Sequence, residues 1–113
     1  MPSNPTRFIV SWPSPKLSPN ARVHWAVKAK AAKTYRLEGW GSAKLAEAKG
    51  HKVSLTFIPK DKRRRDLDNL IAASKSLLDG ISDAIGIDDS KFELTARIGS
   101  PGLTAHVVVE VSQ

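Results

Sequence analysis

Asp66 and Asp68 stand one residue apart directly behind Arg63-Arg64-Arg65, and Asp88 and Asp89 follow later in a Gly-Ile-Asp-Asp turn. Several carboxylates in a chain without cysteine suit a hard divalent cation such as magnesium or manganese. Arginines beside them suit phosphate. The combination predicts a metal-dependent enzyme acting on phosphodiesters, in which the ion activates a water and stabilises charge on the leaving oxygen. No Ser/His/Asp arrangement or glycine-rich phosphate loop competes with that chemistry.

Spacing limits how these groups can meet. Residues i and i+2 point the same way in extended backbone but diverge by about 200° in a helix, so Asp66 and Asp68 share an ion only across an extended segment. Asp68 is therefore expected as the N-cap of a helix over residues 69–85, whose positive end would also favour an anionic substrate. Lys75 returns to the same helical face about 10 Å along the axis and is expected to approach the scissile phosphate. Asp89 is the expected third acid, with Asp88 beside it in support, because a one-residue shift exchanges the two faces of an extended segment. These acids would return to the site if the strand after them pairs beside residues 52–58. Asp79 and Asp83, at one-turn intervals beyond Lys75, read as surface helix pairs outside the site.

Blander readings exist for each feature. Asp-x-Asp also describes a helix cap with a solvated acid, and the run from Lys60 to Arg65 also describes a solubilising loop. Lys28, Lys30, Lys33 and Arg36 either line a DNA-facing side of the first helix or solvate it. His24, His51 and His106 form no spaced metal motif, and Trp12, Trp25 and Trp40 are expected in structural, core positions.

The elements that must position these residues follow from pattern. Residues 7–12 read as a strand, and the proline-rich stretch 13–23 as an ordered loop. From His24 to about Ala48 the composition predicts one long or kinked helix ending near Gly50, weakened by Gly39 and Gly41. Val53, Leu55 and Phe57 alternate with polar residues over 52–58, the mark of a half-buried strand. Leu70, Ala73, Leu77, Ile81 and Ala84 give residues 69–85 an apolar stripe that Gly86 would cap. Residues 92–98 and 103–111 alternate on either side of Gly99-Ser-Pro-Gly102 and predict a carboxy-terminal hairpin. The expected fold class is α+β, in the order β-α-β-α-β-β, with a small mixed sheet and helices packed on one face.

At 113 residues, roughly 65% of the unfolded surface can be buried, which predicts a single domain over residues 1–113. Residues 1–65 carry 15 Lys or Arg against 3 Asp or Glu, whereas residues 66–113 carry 3 against 8. A basic half and an isoelectric point near 10.0 favour a polyanionic partner, nucleic acid ahead of a membrane surface. The lack of cysteine excludes disulfides, thiolate zinc sites and thiol catalysis. No run approaches the ~18 apolar residues of a membrane span, and the first ten residues lack the pattern of a signal peptide. A soluble cytoplasmic protein that needs no membrane is expected.

Pro59 through Leu70, Leu77-Leu78-Asp79-Gly80 and Gly86-Ile87-Asp88-Asp89 together resemble the RusA family of Holliday junction resolvases, and Ser18 through Trp25 with the lysine-rich helix is similar to the amino-terminal part of its phage-type members. The resemblance implies a homodimeric, magnesium-dependent endonuclease, with manganese a possible substitute. It would make paired incisions in four-way DNA junctions during recombination and repair in a bacterial host, possibly from a phage or prophage gene. Asp66, Asp68 and Asp89 would be the metal-binding catalytic acids and Lys75 the catalytic lysine. Lys60, Lys62, Arg63, Arg64, Arg65 and Asn69, with Arg22, Lys28, Lys30 and Lys33 upstream, would bind DNA. A two-fold protein suits paired cuts because it offers two equivalent sites to a pseudo-symmetric substrate. Two other functions use the same residues: a non-catalytic, structure-selective nucleic-acid-binding module, and a nuclease acting mainly on flaps or forks.

Overall fold

Alternation of apolar and polar residues builds a sheet with one face for the core and one for water. The structure is a computed structural model and describes residues 5–113. Its elements run β1 (Thr6–Ser11), α1 (Trp25–Leu45), β2 (Lys52–Ile58), α2 (Leu67–Ala73), α3 (Lys75–Ile85), β3 (Glu93–Ile98) and β4 (His106–Ser112), with single 3-10 turns at Pro15–Leu17 and Asp89–Lys91. Val10 of β1, Val53, Leu55 and Phe57 of β2, and Val107, Val109 and Val111 of β4 form one buried face. Tyr35 and Ala43 of α1 and Leu77, Leu78 and Ile81 of α3 cover it. Each large aliphatic side chain removed from water in this way contributes roughly 1.5–3 kcal/mol.

The expected α+β class with a small mixed sheet is what the chain forms, but its strands are not joined as the sequence suggests. The sheet order is β1-β4-β2-β3, with β3 parallel to β2 and β4 antiparallel to both β1 and β2. The predicted β3–β4 hairpin is absent. Gly99 N–H donates to the Phe57 carbonyl and Gly102 N–H to that of Pro59, each at 2.9 Å, so the turn lies over the end of β2. The chain thus crosses β2 and lays β4 on its other side, and β4 begins at His106 rather than at residue 103.

Two further expectations are corrected. The helix predicted over 69–85 is two helices with Ser74 between them. Ser74 is fully buried, and its hydroxyl donates to the Leu70 carbonyl at 2.8 Å while its own N–H turns to Ile71. The side chain has taken the acceptor that the backbone would use in a continuous helix. Gly39 and Gly41 do not interrupt α1, which ends at Leu45 rather than near Gly50. A Cβ at Gly39 would lie 2.6 Å from the Leu77 carbonyl oxygen, and one at Gly80 would lie 2.0 Å from that of Arg36. These two glycines let α1 and α3 touch backbone to backbone, and Arg36 spans the pair to Asp83 at 2.8 Å.

Among the tryptophans, Trp12 is half-buried and meets Phe57 edge to face at 5.9 Å, as a core role requires. Trp25 and Trp40 are 76% and 45% exposed, contrary to expectation. Trp25 falls in the first turn of α1, where the helix projects past the sheet, and His24 caps that turn by accepting from Ala26 N–H. Among the described residues no helix is long and apolar enough to cross a membrane.

Candidate functional site

The basic loop after β2 is organised by a residue that sequence reading left out. Asp61 accepts from Arg63 N–H at 3.0 Å, from Arg63 Nε and from the Arg65 guanidinium at 2.8 Å. Arg65 also donates to the carbonyls of Asp61 and Arg63 and lies 5.6 Å from the Trp12 ring centre. Its side chain is only 17% exposed. Arg65 therefore braces the loop against Trp12, whereas Lys60, Lys62, Arg63 and Arg64 remain exposed. The Arg65 and Arg63 contacts hold the Asp61 carboxyl at about 2, below its ordinary 3.8. The spacing of Asp61 to Arg63 and Arg65 was the available signal.

The loop delivers Asp66 to the start of α2 in extended backbone, φ −93° and ψ 114°. Asp66, not Asp68, is the N-cap: its Oδ1 accepts from Asp68 N–H at 3.0 Å. Asp68 thus lies inside the first helical turn, and the extended segment expected between the two acids stops one residue short. Both side chains are exposed, and the Asp68 carboxylate has no protein donor among the described residues. Asp66, Asn69 and Leu70 line a groove of about 260 Å³ with Arg65, Trp12 and the 13–18 loop.

Lys75 opens α3 at the other end of α2, a helix of 7 residues and so about 10 Å long. It lines an adjoining groove of about 320 Å³ with Lys28, Ser76 and Asp79. Lys75 Nζ donates to Asp79 at 2.8 Å and also to Asp89. Asp79 and then Asp89 raise the lysine's pKa, and Lys75 is the main cause holding Asp89 below the usual carboxylate range. Asp79 therefore belongs with the candidate site, not outside it; its i+4 spacing from Lys75 was read as a surface pair, which it is, but one that shares its lysine with Asp89. Asp88 caps the 3-10 turn by accepting from Ser90 N–H at 2.9 Å. The strand after these acids does pair beside residues 52–58, as their return to the site required.

Asp66, Asp68 and Asp89 offer hard oxygen donors of the kind magnesium and manganese take. They stand in two groups, one at each end of α2. Among the described residues, no three carboxylate or imidazole groups are gathered closely enough to hold an ion. Of the upstream cations, Lys28 is half-buried at the Lys75 groove, and Arg22, Lys30 and Lys33 are exposed.

No protein-family model matches the chain. It is 40% identical over 89 residues to an uncharacterized protein of Xylella fastidiosa (strain Temecula1 / ATCC 700964), an alignment covering 72% of this chain. The chain spans 58% of the length of that curated relative.

Proposed function

We propose that the chain is a magnesium-dependent, structure-specific endodeoxyribonuclease of the RusA type, cutting four-way DNA junctions as a homodimer in the bacterial cytoplasm. The observation that carries the reading is the clustering along α2: a braced basic loop leads into Asp66 and Asp68, and Lys75 with Asp89 stands at the far end. Asp66, Asp68 and Asp89 would hold the ion, which supplies an activated water and neutralises charge on the displaced oxygen. Arg63, Arg64, Lys60 and Lys62 contact the sugar-phosphate backbone and fix the strand without reading its sequence. Lys75, kept protonated by its carboxylates, faces the non-bridging oxygens of the phosphate being cut. A flap- or fork-directed nuclease uses the same groups, and a non-catalytic binding module would use the basic loop alone.

The test is incision of a labelled four-way junction beside flap and linear duplex DNA in magnesium, with cuts mapped on every strand. Paired symmetric cuts confined to the junction are expected. Preferential flap cutting would move the substrate to flaps, and binding to all three without cuts in magnesium or manganese would refute the nuclease reading.

A further inference from the structure

Lys75 has two carboxylate partners on different elements. Asp79 lies one turn along the same helix, whereas Asp89 reaches it from the 3-10 turn before β3. The Asp79 contact is internal to α3 and survives any movement of that turn. The Asp89 contact depends on it. Asp89 is also the acid that the proposed function needs as a metal ligand, and an ammonium on its carboxylate occupies the place a cation would take.

We infer that Lys75 is a built-in counter-ion that holds Asp89 until metal binds, and that Asp79 is a positioning residue that retains the lysine when Asp89 turns to the metal. The inference rests on the metal-dependent reading above. A divalent ion competes with Lys75 for Asp89, and Asp79 lowers the cost of that exchange because the displaced ammonium keeps a partner. Lys75 is thereby left beside the phosphate rather than free in solvent. Without Asp79 the lysine has Asp89 as its one carboxylate partner and should release it less readily.

The arrangement predicts effects of opposite sign from the two halves of one ion pair. Binding of manganese alone, followed by the resonance of the free ion, would be compared in the full chain and in Lys75→Met, Asp79→Asn and the double variant. Lys75→Met should bind manganese about five- to tenfold more tightly, since it removes both a competing partner and a like charge. Asp79→Asn should bind about threefold more weakly, by the same exposed-pair magnitudes, and should change nothing when Lys75 is already methionine. All four proteins should keep the same far-ultraviolet circular dichroism, because both side chains are at the surface. A merely structural role would weaken binding in both single variants. Unchanged or weaker binding by Lys75→Met, while wild type binds, overturns the counter-ion role and leaves the metal-dependent reading standing; unchanged binding by Asp79→Asn overturns the role of Asp79. No manganese binding by any of the four overturns both this inference and the metal-dependent function.

Discussion

Replacing Gly80 by alanine sets two physical effects against each other. Alanine is favoured over glycine by about 1 kcal/mol in a helix interior, so propensity alone predicts a more stable protein. The new Cβ, however, would lie 2.0 Å from the Arg36 carbonyl oxygen and 2.9 Å from Trp40 N, both backbone atoms that no rotamer change can move. An ordinary contact needs about 3.5 Å, so α1 and α3 must part by more than 1 Å locally. A gap of 0.5–1 Å already forfeits a quarter to a half of each dispersion contact, and overpacking of this kind costs about 1–3 kcal/mol or more. Taking the upper end for a backbone clash and subtracting the propensity gain leaves a loss of about 2 kcal/mol, or roughly 8 °C in Tm at this chain length. Gly41 is the control, since a Cβ there meets nothing within 4 Å, and Gly41→Ala should gain about 0.5–1 kcal/mol. Urea unfolding of both variants reads the two signs directly. Equal or greater stability of Gly80→Ala would refute the close approach of α1 and α3.

Ser74→Ala removes the hydroxyl that satisfies the Leu70 carbonyl in a fully buried position, and should cost about 1–2 kcal/mol in urea unfolding, with faster amide exchange at the α2–α3 junction. Asp61 has a folded pKa of about 2 against an ordinary 3.8, so its contribution is fully present above pH 4 and is lost as the pH falls through 2. The stability difference between wild type and Asp61→Asn should therefore be constant from neutral pH to about 4.5 and shrink between pH 4 and 2, as read from urea midpoints; a difference that persists at pH 2 would contradict the loop geometry. Arg63 and Arg64 are exposed, and alanine at either should weaken binding to all DNA sequences alike and lower the slope of log affinity against log salt by about 0.9, measured by fluorescence anisotropy.

Features that depend on neighbours along the chain were legible in the sequence. The alternation over 52–58 marks β2 because strand pleating has a period of two, and the lysine-rich stretch forms α1 despite its glycines. What the sequence withheld was partnership between distant segments. Gly99-Ser-Pro-Gly102 signals a reversal, but whether the returning strand pairs with its predecessor or crosses β2 is decided by contacts to Phe57 and Pro59 far upstream. Gly39 and Gly80 look like weak points in isolated helices and become contact points only when the two helices are packed. In the candidate site, the run of cations directly before two acids was visible at once. The cap fell on Asp66 rather than Asp68 because either acid can cap a helix, and the local backbone decides which one turns. Asp79 was set aside because an i+4 pair is ordinary on a helix surface, and its second neighbour, Asp89, is brought near only by the turn that precedes β3.

The central claim is that the acids along α2 cut DNA rather than merely cap a helix. The most direct measurement is single-turnover cleavage of a four-way junction in magnesium by wild type and Asp68→Asn, with junction affinity measured in parallel. Asp68 caps nothing and has no protein donor among the described residues, so the variant should fold and bind normally while its cleavage rate falls by at least about a hundredfold. Cleavage at the wild-type rate would contradict the assignment of Asp68 to the catalytic centre.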